Sequence, residues 1–204
     1  MTLIAVLDYG IGNLRSAQKA LEHLGADARL TADPVVVNDA AGVVLPGVGA
    51  FGRCMEALRA TGLDDMACAA VASRRPFLGI CVGMQLLYEA SEESDGIAGL
   101  GVMHGTVRRL PAGVKRPQMQ WNTLDVVRPS WLFDGLPEPA WMYFVHSFAP
   151  EAGDSVAATC DYGGPVVAAV EQDNVAATQF HPEKSGANGL RLLANFVARC
   201  QNGG

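Results

Sequence analysis

Apolar residues along this chain change their spacing partway through, and that change predicts the architecture. Leu3–Leu7 is an unbroken apolar run that stops at Asp8 and reads as a strand. Asn13–Leu24 then carries Leu14, Ala17, Leu21 and Leu24 at helical spacing, with Gly25 in position to end the helix. Short strands follow near Ala28–Thr31 and at Val43–Leu45, then helical stretches over Cys54–Ala60 and Leu63–Ala72. Phe77–Ile80 is a further strand, leading into a predicted helix over Val82–Glu89. Strands alternating with helices predict a parallel sheet with helices on both faces. From Met103 to Thr178 the segments are short, rich in Val, Trp, Tyr and Phe, and interrupted by Pro and Gly, the pattern of antiparallel strands. A last helix over Gly189–Cys200 places Leu190, Leu193, Val197 and Cys200 at helical spacing. The expectation is one α/β domain over residues 1–204: a mostly parallel central sheet flanked by helices, with an added antiparallel strand region.

Composition narrows the function. Half of the residues are hydrophobic, which suits a sheet buried on both faces. The net charge is −6 and basic residues cluster only in pairs such as Arg108-Arg109 and Lys115-Arg116, which argues against nucleic acid as a partner. Leu3–Leu7 is too short and lacks the basic flank of a secretion signal, and no apolar run approaches the ~18 residues needed to span a bilayer. Five cysteines at irregular spacing point to a reducing, cytoplasmic setting. None of them has zinc-site neighbours, so no metal is expected.

One cysteine stands apart. Gly79-Ile80-Cys81-Val82-Gly83 follows an apolar strand and places glycine two residues before and two after the thiol. That is the pattern of a nucleophile elbow, where strand turns sharply into helix and one side chain is pushed into a cleft. The glycines serve because a Cβ there meets the adjoining backbone, and a helix N-terminus favours the thiolate. A hundred residues on, His181-Pro182-Glu183 supplies a base and a carboxylate to orient it. If the segment is extended, as Pro182 favours, i and i+2 share a face and can hydrogen-bond. The oxyanion formed by attack on an amide needs two donors. One is the backbone N–H of Val82. Pro46-Gly47-Val48-Gly49 lacks the Lys-Ser/Thr of a phosphate loop, and Gly10-Ile11-Gly12 has Arg15 where a dinucleotide fingerprint needs its third glycine.

Gly79–Gln85 and His181-Pro182-Glu183 together resemble the class I (triad) glutamine amidotransferase family. Asp8–Asn13, Leu45–Phe51, Tyr143–Phe148 and the extended His181–Gly186 add further matches, covering about residues 3–200. Within the family, these segments are similar to the glutaminase subunits of imidazole glycerol phosphate synthase. The resemblance implies a Cys81–His181–Glu183 triad, and a second oxyanion donor from the peptide around Val48–Gly49, whose glycines let it flip. It implies contacts to the glutamine substrate from Gln85, from Glu93, and from the His146-Ser147-Phe148 backbone. Glu89 and Glu92 stand close enough to be alternatives to Glu93. His146 invites a catalytic reading, though a second base is not required. Asn13, Trp121, Asn122 and Lys184 are placed by resemblance on the surface facing a (β/α)₈ cyclase subunit. That partner would take the ammonia in histidine biosynthesis, with no cofactor. The alternatives are a related subunit feeding a different synthase, such as one that amidates a sugar, a pyridoxal phosphate synthase subunit, and an elbow-cysteine stress protein that would not need His181-Pro182-Glu183. One departure stands out: where the family usually has Pro-His-x-Gly-Trp-Asn, this chain reads Pro117-Gln118-Met119-Gln120-Trp121-Asn122.

Overall fold

Three fully buried segments of the sequence, Gly42–Gly47, Phe77–Cys81 and Val175–Thr178, lie side by side as parallel strands. Continuous apolar runs are what a strand covered on both faces requires. The computed structural model describes residues 1–203. In chain order its elements begin β1 (Leu3–Leu7), α1 (Leu14–His23), β2 (Asp27–Thr31), α2 (Pro34–Asp39) and β3 (Gly42–Gly47). Next come α3 (Phe51–Ala60), α4 (Leu63–Ala72), β4 (Phe77–Cys81), α5 (Val82–Leu86) and β5 (Tyr88–Ser91). The strand-rich part holds β6 (Met103–Arg109), β7 (Gln118–Thr123), β8 (Asp125–Val126), β9 (Trp141–His146) and β10 (Phe148–Pro150). It continues through β11 (Val156–Asp161), β12 (Pro165–Gln172) and β13 (Val175–Thr178), and α6 (Gly186–Gln201) closes the chain.

The central sheet has the order β2-β1-β3-β4-β13-β12-β11-β8. Its first five strands pair in parallel and the last three attach antiparallel. Two small sheets, β10-β6-β5 and β7-β9, complete the strand-rich half. The anticipated division into a parallel and an antiparallel region holds, except that β13 joins the parallel strands beside β4 and links them to the antiparallel ones. That placement matters for chemistry, because it sets the segment after Thr178 beside the end of β4. No helix among the described residues is long and apolar enough to cross a membrane.

Two elements differ from the sequence expectation. The helix after the elbow stops at Leu86 rather than continuing to Glu89; Tyr88–Ser91 instead forms β5, paired in parallel with β6. Tertiary pairing outweighs local helical spacing here: Met103 N donates to Leu87 O at 2.9 Å and Leu100 N to Leu86 O at 2.8 Å. The unforeseen helix α2 contains three consecutive valines, a strand-like composition. Its start signal was nonetheless present: the Asp33 side chain caps Val35 N at 2.9 Å and Pro34 occupies the first turn.

Candidate active site

Cys81 sits at the junction of β4 and α5 with φ 55° and ψ −111°, a conformation an L-residue rarely adopts. Packing holds it there. A Cβ on Gly83 would collide with the Leu45 carbonyl of neighbouring β3, and one on Gly79 would come within 3.0 Å of Gly83 O and 3.1 Å of the Ala177 Cβ. Both flanking glycines are therefore required by the close approach of α5 to the sheet. The thiol faces a cleft of about 600 Å³, at the carboxyl ends of the parallel strands, where ligands gather in open α/β sheets.

Because Thr178 is in register with Ile80, the residues after β13 lie alongside Cys81. His181 Nδ1 is 2.8 Å from Glu183 Oε1, with both side chains only 2% exposed. The local backbone differs from the extended segment expected. His181 alone is extended, and Pro182–Lys184 forms a 3-10 turn with Pro182 at its start. Proline's fixed φ and missing N–H suit the first position of such a turn as well as they suit a strand. Ser185 Oγ donates to His181 O at 2.6 Å, and His181 N donates to Tyr143 O at 3.0 Å, so the His181 backbone is held at both its carbonyl and its N–H. Burial opposes a charge on His181, but hydrogen bonds to Cys81 and Glu183, and their charges, prevail and push it up to about 10. The proton is therefore held below that value and released as pH rises through it. Since Cys81 supplies part of that upward push, Cys81→Ser is expected to lower the deprotonation midpoint of His181, and ring-proton NMR titration of the two proteins measures it. An unchanged midpoint would show that the thiol and the imidazole do not interact.

The proposed oxyanion segment is tied down at both ends. Tyr9 Oη donates to Pro46 O at 2.7 Å, and Cys54 Sγ to Val48 O at 3.3 Å. Burial pushes the Tyr9 phenol far up, so it stays a donor. Gly47 fits between Tyr9 Oη and Gly83 N, each within 3.0 Å of a Cβ added there, and Gly49 has φ +90°. Val48, Gly49 and Val82 all line the cleft.

Gln85, Glu93, His146, Ser147 and Phe148 also line it. Among the three candidate carboxylates, Glu93 is the one that faces this space. Its Oε2 accepts from Phe51 N at 2.7 Å. Glu89 is instead engaged by Gly105 N and His104, and Glu92 by Arg109 N and Arg108. His146 is unsuited to act as a base near neutrality, since burial pushes it down to about 4 and its Nδ1 lies 2.8 Å from Phe148 O. The reading from sequence missed Gln179, which is fully buried with Nε2 3.7 Å from Cys81 Sγ. Its position two residues before His181 was the available signal.

Asn13 and Lys184 line the same cleft. Trp121 is exposed on β7 and packs edge-on against Tyr143 with ring centroids 5.9 Å apart; Asn122 Nδ2 donates to Asp161 O at 2.9 Å. These two lie outside the cleft lining. The Gln118 and Gln120 substitutions are accommodated differently. Gln118 is buried against Cys160, whereas Gln120 is exposed on β7 and is not among the residues with positive φ, so its place does not require glycine. No group of three or more His, Cys, Asp or Glu able to hold a metal ion occurs among the described residues.

The pattern of the chain and its fold both match known proteins. The imidazole glycerol phosphate synthase subunit HisH of Syntrophotalea carbinolica is 50% identical over 203 residues, spanning 95% of this chain and 98% of its own. The subunit of the same name from Methanothermobacter thermautotrophicus is 49% identical over 196 residues, spanning 96% and 98%. A solved glutamine amidotransferase shares the fold, with a TM-score of 0.74 at 23% identity over 98% of this chain and 99% of that one. The family description glutamine amidotransferase class-I fits residues 5–200. A match that leaves only the two ends of the chain uncovered is decisive: this chain belongs to the class I glutamine amidotransferases.

Proposed function

We propose that this chain is the glutaminase subunit of an imidazole glycerol phosphate synthase, with residues 1–204 acting as one amidotransferase domain and Cys81, His181 and Glu183 as its triad. The observation that carries the chemistry is the buried His181–Glu183 pair beside the elbow cysteine. The Cys81 thiolate attacks the δ-carboxamide carbon of glutamine, and the oxyanion forms against Val82 N–H and a donor from Val48–Gly49. As the C–N bond breaks, His181 gives its proton to the departing ammonia. Its neutral imidazole then takes a proton from water, which attacks the γ-glutamyl thioester to release glutamate and restore the thiolate.

Gln85, Glu93 and the His146–Phe148 backbone hold the amino-acid end of glutamine in this reading. Ammonia passes to a (β/α)₈ cyclase subunit. There it reacts with the phosphoribulosyl-formimino carboxamide nucleotide to give imidazole glycerol phosphate and the aminoimidazole carboxamide ribotide. The high identity to two HisH subunits over nearly their full length supports this partner over a synthase of another pathway. Asn13, Trp121, Asn122 and Lys184 form its docking face, and the cytoplasm is the compartment of both chains. The test is product formation by this chain mixed with the cyclase of its own source, given the nucleotide and either glutamine or an ammonium salt. Glutamine is expected to support imidazole glycerol phosphate formation only when both chains are present. Product from ammonium salt alone, with glutamine inert, would overturn the assignment.

A further inference from the structure

We infer that Gln179 holds an N–H donor on the sulfur of Cys81 and thereby tunes its reactivity as the nucleophile. The inference rests on Cys81 being the nucleophile. Gln179 and His181 lie two residues apart at the end of β13, while the intervening Phe180 is buried against Phe144, with ring centroids 5.5 Å apart. Successive side chains of an extended segment alternate, so Gln179 and His181 reach Cys81 from the same strand end.

Which end of the Gln179 amide meets the sulfur is settled by a chain of hydrogen bonds. Gln85 Nε2 lies 2.9 Å from Phe148 O, a backbone carbonyl that can only accept. The nitrogen end of the Gln85 amide must therefore face inward. Its second hydrogen meets Gln179 Oε1 at 3.1 Å, which leaves Gln179 Nε2 to donate to Cys81 Sγ at 3.7 Å. A flip at Gln85 would set oxygen against oxygen, and a flip at Gln179 would set nitrogen against nitrogen, inside a fully buried site, with unpaired polar groups as the penalty. The carbonyl of Phe148 thus fixes, through two side chains, a donor on the sulfur 67 residues before it in the chain. A donor to the charged form favours that form. The same link ties Gln85, which faces the substrate cleft, to the nucleophile.

Two substitutions separate this role from mere packing. Gln179→Glu keeps the shape and the acceptor for Gln85 but replaces the donor with an oxygen; Gln179→Met removes both. The readouts are the rate of Cys81 carboxamidomethylation by iodoacetamide against pH, followed by mass spectrometry of its peptide, and kcat and KM of the complex with the cyclase. For Gln179→Glu, Cys81 is expected to be modified about 10-fold more slowly at neutral pH, with kcat falling more than KM changes. Gln179→Met, where it folds, should show the same slowing. A Gln179→Glu profile superimposable on the unsubstituted one would overturn the inference, and that variant decides even if Gln179→Met fails to fold. Cys81→Ser is assayed alongside: if it still hydrolyses glutamine, the nucleophile assignment itself fails. If it is silent while Gln179→Glu keeps the original profile, only the role of Gln179 falls.

Discussion

Cys81→Ser is expected to abolish glutamine hydrolysis, with ammonia release down by about 10³-fold or more, while melting within about 2 °C of the unsubstituted chain. Serine offers an alcohol where the thiolate stood, and the imidazole partnership that raises His181 loses its charged member. Removing the nucleophile of a triad forfeits the covalent route as a whole, so the loss is close to that of the entire triad. Stability should be nearly indifferent. The replacement changes one atom in a side chain that faces the cleft, and the unusual φ of 55° is fixed by how closely Gly79 and Gly83 pack rather than by the sulfur. The check is ammonia and glutamate release by the purified complex, with a melting curve on the same sample. Ammonia release retained by a folded Cys81→Ser variant would sink the assignment.

Much of this site could be read from the sequence because its parts obey local rules. The elbow is legible in five residues, since the two glycines report a backbone approach that no other residue allows. His181 and Glu183, the proposed base and its orienting carboxylate, are likewise two residues apart, so their hydrogen bond depends little on the rest of the fold. Even so, the turn that makes it is 3-10 rather than extended, since proline serves both conformations. What the sequence left open depends on long-range pairing. Glu93 is singled out from Glu89 and Glu92 only by β5 and β6, which engage the other two on the far side. Gln179 gains its meaning from the return of β13 beside β4, and Tyr9 and Cys54 from their reach to Pro46 and Val48 across 37 and 6 residues. None of these contacts has a spacing that a linear reading can detect.

Glutamine hydrolysis by the isolated chain is expected to be weak, and to rise at least ~10-fold when the cyclase and its nucleotide ligand are both present. Ammonia released without an acceptor is wasted, so a coupled pair gains from a site that stays incomplete until the partner is loaded. The Pro46–Gly49 segment offers the means. Its first carbonyl is held by a strong Tyr9 hydroxyl bond, whereas the Val48 carbonyl is held only by a thiol, a weak donor. Gly49, at φ +90° with open space around it, lets the Val48–Gly49 peptide rotate at little cost. With one oxyanion donor turned away, transition-state stabilisation falls by roughly 3 kcal/mol, or about 10²-fold in rate. Lys184 lies in the turn directly after Glu183 and lines the cleft that the partner is proposed to cover, so it is placed to sense docking. Lys184→Ala should therefore reduce the stimulation several-fold while leaving the melting temperature nearly unchanged, because its side chain is exposed. The measurement is glutaminase rate for the chain alone, with cyclase, and with cyclase plus nucleotide, for both proteins. If the isolated chain already turns over glutamine at the rate of the loaded complex, the peptide is not a switch.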